Sequence, residues 1–336
     1  MRTASVMSSL AIGLLALAFP YLSLDARQSA TGRTAAAGVD RGSVSTGEAT
    51  DLRPVKGVPD KCPNPVKVQP DVFPVRVGTV KAEDGKTFMV PGPITEGAVA
   101  PDIFDTCMGK GDNPNYQSQL QTVIIDKDGV EITAYIHADN YFELFVNGTY
   151  VARDSVPMTP FNSSVVRFRA RYPMTYAFLT IDWETHHGVG MEYAQYNIGD
   201  AGLIAYFTDG NGTHADWKSE VFYIAPLDDP ACVRVTAMGR DSSFCNQARI
   251  PECQTKLAGN MCKALHFQVP SDWTSPKFND SRWPNSMIWR PIEVTNQAAY
   301  TEYTKLFGDA EFIWTRNLKL DNLVLSRYTA KGPRKN

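Results

Sequence analysis

Residues 121–152 read QTVIIDKDGVEITAYIHADNYFELFVNGTYVA, and this stretch decides the fold class. Its apolar runs are separated by two turn signals, residues 126–129 (DKDG) and Asn147-Gly148, where Gly and Asn adopt positive φ at low cost. The pattern predicts two consecutive hairpins, over residues 123–137 and 141–152.

Further β-like runs continue on both sides of these hairpins. They fall at residues 75–77, 88–90, 165–169, 176–183, 202–208, 217–225, 312–314 and 323–325. Short strands with turn residues between them and little helical periodicity predict an all-β fold, a β-sandwich or jelly roll over residues 121–330. One short helix is expected at residues 296–307, with Thr295 as its cap and Gly308 at its end.

The N-terminal residues predict export. Met1-Arg2 is followed by the apolar run at residues 10–19 and by Pro20. This run is too short to span a bilayer and has the layout of a signal peptide, assigned to residues 1–26. Residues 27–60 are mostly small and polar and read as a flexible leader. Residues 61–120 read as a loop-rich lead-in. The protein is expected to be secreted, or periplasmic, with no stable membrane span.

Six cysteines support an oxidising compartment. They are Cys62, Cys107, Cys232, Cys245, Cys253 and Cys262. Proximity along the chain favours a Cys62–Cys107 bridge and two bridges among the other four, so residues 232–262 are read as a disulfide-stapled irregular excursion. Their spacing is too wide for the paired cysteines of a structural zinc site. The net charge of -3 gives no basic face for nucleic acid.

Three segments resemble the galactose-binding-like jelly rolls that accompany many glycan-active secreted enzymes. They are residues 138–151 (ADNYFELFVNGTYV), Trp273 with residues 278–284 (FNDSRWP), and residues 312–315 with 323–327 (FIWT, LVLSR). In that family the second and third segments precede the first, whereas here they follow it. The resemblance implies a permuted sandwich whose two ends meet in one sheet, or alternatively two half-domains. It implies no ligand residue.

The stretch at residues 181–192 (IDWETHHGVGME) is the most unusual for chemistry. If the strand continues, Asp182, Glu184 and His186 share one face, which could bind a divalent cation or perform acid-base work. The alternative is a solvent-facing row followed by a loop at Gly188 and Gly190. The expected ligand-binding residues are Asp182, Trp183, Glu184, His186, His187 and Trp217.

A second candidate is the turn at residues 209–213 (DGNGT). Oxygen groups in such a turn suit Ca²⁺, as does Asp200, although a tight turn needs the same residues for conformation alone. Asp200, Asp209 and Asn211 are therefore the expected metal ligands. A structural calcium ion is the one cofactor that the sequence suggests.

The sequence favours a non-catalytic binding protein for a glycan or a surface polymer. Such a site combines an aromatic platform with Asp, Asn or His groups, and Trp183, Trp217 and Trp289 are candidate platforms, unless they lie in the core. A metal-dependent enzyme using Asp182, Glu184 and His186, or a structural protein of a cell envelope, are the alternatives. No G-x-S-x-G nucleophile elbow is present. Four Asn-x-Ser/Thr sequons predict glycosylation where the source performs it.

Overall fold

The computed structural model describes residues 40–56, 75–105, 111–155, 162–192, 198–246, 262–295 and 297–334. The segment predicted to be a signal peptide, Cys62, Cys107 and Cys253 lie outside these residues. Val39–Asn336 forms one compact unit. Strands make up 46% of the described chain and helices 8%, and the expected all-β sandwich is confirmed.

The strands in chain order are β1 (Ser43–Thr46), β2 (Thr50–Pro54), β3 (Arg76–Lys81), β4 (Thr87–Val90), β5 (Asp102–Asp105), β6 (Gly111–Asp112), β7 (Thr122–Ile124), β8 (Val130–Asp139), β9 (Tyr141–Val146), β10 (Thr149–Arg153), β11 (Asn162–Ala170), β12 (Met174–Ile181), β13 (Gly202–Phe207), β14 (Lys218–Leu227), β15 (Arg234–Thr236), β16 (Gly239–Asp241), β17 (Lys263–His266), β18 (Met287–Trp289), β19 (Phe312–Trp314) and β20 (Asp321–Ala330). The helices are α1 (Tyr116–Gln119), α2 (Pro291–Val294) and α3 (Ala298–Thr301), with 3₁₀ turns at Pro230–Cys232 and Thr304–Phe307. Within the described ranges no helix has the length and apolarity needed to cross a membrane.

Two large sheets enclose a shared core. One has the order β1-β17-β14-β20-β12-β9-β10, and the other has the order β18-β19-β13-β8-β11-β5-β6, with β7 also paired to β11. Leu144 and Phe178 from the first sheet belong to the same buried cluster as Ile136, Phe168 and Phe207 from the second. Because side chains alternate along a strand, these residues form the inner faces of the two sheets.

The seven-stranded sheet is also covered on its other face. Leu179 and Ile181 of β12 join a second buried cluster with Val80 and Val90 of the small sheet β2-β3-β4. Every residue of β12 is therefore buried. This explains why its sequence reads as a nearly continuous apolar run rather than an alternating one.

The predicted hairpin over residues 141–152 is confirmed, and the one over residues 123–137 is wrong. Asn147 (φ 52°) and Gly148 (φ 83°) form the turn between β9 and β10. In contrast, β11 lies between β7 and β8, with β7 parallel to it and β8 antiparallel. The turn at residues 126–129 does form, but the amides of Ile125 and Asp126 donate to Arg169 O of β11. Long-range pairing therefore overrides the local turn signal.

Two other expectations about the organisation of the chain need correction. The leader assigned to residues 27–60 contains β1, paired with β17, and β2, paired with β3. Its serines can be buried there because the hydroxyl of Ser43 is hydrogen-bonded to Asp84 and that of Ser45 to His266. The helix expected at residues 296–307 is divided into α3 and a 3₁₀ turn.

The cysteine-rich excursion is partly described. Cys232 and Cys245 form a disulfide that closes a loop around the β15–β16 hairpin. Cys262 is also disulfide-bonded. One of the bridges expected among the last four cysteines is thus confirmed.

The three family-like segments meet in space. Arg327 of β20, whose side chain is 1% exposed, donates to the carboxylate of Asp280 at 2.9 Å and to the carbonyls of Trp273 and Ser275. The ring of Trp273 packs edge-on against Phe145 of the β9–β10 hairpin at 5.3 Å. Strand β20 and this hairpin lie in the same sheet.

Candidate functional site

The residues after β12 form a loop rather than a continued strand. Glu184 is buried, and its carboxylate accepts hydrogen bonds from the amides of Gly188 and Gly190 and from the hydroxyl of Tyr223. Burial raises the pKa of Glu184 to about 7. This carboxylate therefore holds the turn of the loop, where both glycines have positive φ.

The two histidines of this loop face other partners. His186 Nδ1 lies 3.3 Å from Glu48 Oε1, and His187 Nε2 lies 2.8 Å from Arg76 O. Burial lowers the pKa of His187 to about 4, so this ring is neutral. Asp182, Glu184 and His186 consequently do not share one face. No three Asp, Glu, His or Cys side chains among the described residues come together as a metal-binding group.

Two of the three tryptophans expected as binding platforms lie in the core. The third, Trp289, is partly buried, and its indole donates to Thr315 O at 3.0 Å. Trp183 is 1% exposed and packs against Tyr141, while Trp217 is fully buried and stacks on Tyr176. The indole of Trp217 donates to Gly212 O at 2.8 Å. Neither ring is accessible to a glycan, because Trp217 lies in the buried cluster with Phe178 and Phe207, and Trp183 lies in the other buried cluster with Leu179 and Ile181.

Asp209 and Asn211 form an internal network at the turn. The carboxylate of Asp209 accepts from the hydroxyls of Tyr172 and Tyr176 and from the side-chain amide of Asn211, which also donates to Gly332 O. These contacts account for both turn residues without an ion. Asp200 precedes β13 and Asp209 follows it, so these two carboxylates lie at opposite ends of a strand about 20 Å long.

Next to this turn lies an open groove of about 750 Å³. The ring of Tyr328 from β20 is part of its wall and is partly exposed, stacked over the buried Trp217 at 5.6 Å. His214 packs edge-on against the same tyrosine at 4.7 Å. The charged side chains that line the groove are Asp216, Glu311, Lys331 and Arg334.

The groove has a balanced charge. It contains the carboxylates of Asp216 and Glu311 and the cations of Lys331 and Arg334. Partial burial lowers the pKa of His214, although nearby Asp216 opposes this shift. An uncharged imidazole can both donate and accept hydrogen bonds. Together these groups offer donors and acceptors around one aromatic ring.

A separate cavity of about 470 Å³ lies beside the small sheet. Its lining includes Arg53, Lys56, Glu96 and Arg153 together with aliphatic side chains, and no aromatic ring from the described residues. It lacks the apolar platform that the groove provides.

Four carboxylates gather at the opposite end of β13 from the groove. We call Asp139, Asp182, Glu192 and Asp200 the acidic cluster. Burial, and then the other carboxylates, raise the pKa of Asp139 and of Asp182 well above its usual range. Burial, and then Asp200, raise the pKa of Glu192 to about 8.

Trp217, which the sequence offers as a binding platform, is buried, and the partly exposed ring beside it in the groove is that of Tyr328. Tyr328 and Trp217 are neighbours in space and not in sequence. The acidic cluster was found only through Asp182 and Asp200. Comparison of the chain with protein-family models, with curated proteins and with solved structures gave no match.

Proposed function

We propose that this chain is an exported, non-catalytic protein that binds a glycan, and that the groove beside Tyr328 is its binding site. The observation that carries the proposal is an accessible aromatic ring surrounded by carboxylate, imidazole and basic groups in one groove. A sugar presents apolar C–H faces and hydroxyl groups that donate and accept hydrogen bonds. Clefts of about 300–1,000 Å³ with an apolar wall and a few polar groups are typical of small-ligand sites.

Each part of the groove has a role in this proposal. Tyr328 supplies the flat apolar surface for a sugar ring, and its stacking on Trp217 holds that surface in place. Asp216 and Glu311 accept from hydroxyls, while Lys331 and Arg334 donate to them. Because the two pairs of charges balance, a neutral glycan suits the groove better than a highly charged one.

Export is supported by the disulfide as well as by the N-terminal sequence. The Cys232–Cys245 bridge is of the kind that persists in oxidising compartments and is rare in the cytosol. Such a protein would meet glycans or surface polymers outside the cytoplasm.

A glycan array that includes neutral, carboxylated and sulfated sugars tests the proposal, followed by calorimetry on the strongest neutral ligand. We expect Tyr328→Ala to weaken binding at least tenfold, about 1.4 kcal/mol. Asp216→Asn and Glu311→Gln should each weaken binding severalfold, because each removes a carboxylate that accepts from sugar hydroxyls. Both side chains are exposed, so the changes should not disturb the core.

Arg53→Ala is the matched control, since Arg53 is an exposed residue of the other cavity. It should leave the affinity unchanged, and circular dichroism should show that all variants are folded. Binding that is lost in Arg53→Ala and kept in the groove variants would show that the glycan binds in the other cavity. No binding to any sugar on the array would contradict the proposal and favour a structural role.

A further inference from the structure

The cavity of about 470 Å³ lies where the small sheet β2-β3-β4 meets β10, the edge strand of the seven-stranded sheet. We call it the basic cavity. Arg53 of β2 pairs with Val77 of β3, and Val99 pairs with Arg153 of β10. These four residues line the cavity together with residues 94–97. Its wall is therefore assembled from separate parts of the chain.

One part of the wall is aliphatic. The side chains that form it are Val55, Val77, Met89, Ile94 and Val99. Val55 and Val77 are 6% and 5% exposed and belong to the core, which fixes their positions, whereas Val99 is 40% exposed. No aromatic ring of the described residues lines the cavity, so a sugar ring has no platform there. An aliphatic wall of this kind suits an alkyl chain, which gains free energy by leaving water.

The charged part of the wall is mainly positive. Arg53, Lys56 and Arg153 belong to it, and Glu96 is its one carboxylate among the described residues. Glu96 pairs with Lys56 at 2.8 Å, and these two side chains are 71% and 78% exposed. Within the described ranges neither arginine has a carboxylate at ion-pair distance. The cavity therefore offers two cations that are not held by a salt bridge.

Arg153 is the buried member of this pair. It is 3% exposed, and its terminal nitrogens donate to Asp154 O at 3.0 Å and to Lys56 O at 2.7 Å. Its Nε is buried and donates to no group in the described part of the chain. These contacts hold the guanidinium in place but supply no negative charge. Buried charges are normally paired with an opposite charge, so this arginine calls for an anion.

One carboxylate acts on Arg153 from a distance. It belongs to Glu143, the cross-strand neighbour of Arg153 in the β9–β10 hairpin. Its Oε1 accepts from Thr95 N at 2.6 Å and from the hydroxyl of Tyr141 at 2.8 Å. Burial raises the pKa of Glu143, although these hydrogen bonds and Arg153 oppose the shift. Even when Glu143 is ionised, the three basic side chains outnumber the two carboxylates.

We propose that the basic cavity binds an aliphatic carboxylic acid in its ionised form. The carboxylate lies against Arg53 and Arg153, and the alkyl chain lies against the aliphatic part of the wall. The planar fork of an arginine matches the two oxygens of a carboxylate. One negative charge also fits the small surplus of positive charge better than a phosphate, which carries about two. The volume is within the range of about 300–1,000 Å³ that is usual for small-ligand sites.

This inference does not depend on the glycan proposal. The basic cavity and the groove beside Tyr328 have no lining residue in common. Each site can therefore be changed without touching the other, and each proposal can fail separately.

Calorimetry of the full-length protein with sodium octanoate at pH 7.5 tests the inference. We expect one octanoate per chain. Binding of 1-octanol, which lacks the charge, and of acetate, which lacks the chain, should each be weaker by at least about tenfold.

Three variants locate the site. Arg53→Gln should weaken octanoate binding by at least about threefold, because it removes an exposed cation without disturbing the core. Val99→Asp should weaken binding more than Val99→Asn, which has nearly the same shape and no charge. Lys305→Gln, which removes an exposed cation elsewhere, is the matched control and should bind octanoate like the wild type.

Other outcomes would overturn the inference. No octanoate binding by the wild-type protein would do so without reference to any variant. Equal affinity for 1-octanol would show a purely apolar cavity, and equal affinity for acetate would show a site for any small anion. Tighter binding of octyl phosphate would contradict the choice of a carboxylate. Octanoate binding that is lost in Tyr328→Ala and kept in Arg53→Gln would place the ligand in the groove.

Discussion

His266 should make the stability of the protein depend on pH in a measurable way. Its ring is 2% exposed and lies between Tyr223 and Phe88, with ring centroids 4.8 and 4.9 Å away. Its Nε2 shares a hydrogen bond of 2.8 Å with the hydroxyl of Ser45. Burial lowers the pKa of His266 from 6.5 to about 3, and no charged neighbour contributes to this shift.

The sign follows from the neutral form being favoured in the folded protein. Above pH 6.5 both folded and unfolded chains carry a neutral His266, so its contribution to stability is complete. As the pH falls from 6.5 towards 3, His266 binds a proton in the unfolded chain but not in the folded chain. Each pH unit in this window costs about 1.4 kcal/mol of unfolding free energy, or about 2.7 kcal/mol at pH 4.5.

The substitution His266→Phe separates this titration from packing. Phenylalanine keeps the stack but leaves the Ser45 hydroxyl buried without a partner, so at pH 7.5 the variant should be less stable by about 1–3 kcal/mol. Because phenylalanine does not titrate, the wild type loses this advantage as the pH falls. A disadvantage of about 1–3 kcal/mol at pH 7.5 is offset where the titration costs the wild type the same amount, so the two stabilities should become equal between about pH 5.8 and pH 4.3.

Urea denaturation of both proteins at pH 7.5, 6.5, 5.5 and 4.5 provides the measurement. Ser45→Ala is the control, because it removes the same hydrogen bond and keeps the titrating ring, so its difference from wild type should stay nearly constant. A His266→Phe difference that is equally constant, or that widens at low pH, would refute the assignment of a buried neutral histidine. The change of this stability difference with pH is decisive, because any strain from the larger ring would be the same at every pH.

Three further predictions concern stability and modification. Replacing both Cys232 and Cys245 by Ala should lower the unfolding free energy by about 3 kcal/mol, since the bridge closes a short loop. Urea denaturation under oxidising conditions measures this loss, and a negligible loss would contradict a stabilising role for the bridge. Arg327→Met should cost about 3–5 kcal/mol, because it leaves a carboxylate and two carbonyls without their donor; a loss below 1 kcal/mol by the same method would contradict this packing. In a glycosylating host, the exposed Asn279 should carry a glycan and Asn162, which is 2% exposed, should not. Peptide mass spectrometry after PNGase F treatment measures both sites, and a glycan on Asn162 but not on Asn279 would contradict the burial of Asn162.

Local chemistry predicted part of this fold well. The turn at Asn147-Gly148 is specified by two adjacent residues that accept positive φ, and the hairpin forms as expected. The all-β class follows in the same way from runs of apolar residues between turns. Where the turn at residues 126–129 gave the same kind of signal, strand β11 inserted between the flanking strands. A turn sequence fixes a reversal of direction and not the partner of each strand.

The candidate sites were less predictable because they depend on distant residues. Period-two alternation would place Asp182, Glu184 and His186 on one face, but β12 ends at Ile181 and the glycines that follow turn the chain. The groove needs Tyr328 beside residues more than a hundred positions earlier. The acidic cluster joins residues that are far apart in the sequence, and only a three-dimensional structure shows that these carboxylates act on one another.

The position of β20 has a consequence for the order in which the protein can fold. This last strand is the central one of the seven-stranded sheet, between β14 and β12. While the chain is being synthesised, these two strands exist for a long time without the partner that separates them, and each presents an unpaired apolar edge. Unpaired edges of this kind favour wrong pairing and aggregation. The sheet can close only after β20 has been made, so a chain without β20 should fail to fold as a whole rather than lose a peripheral piece.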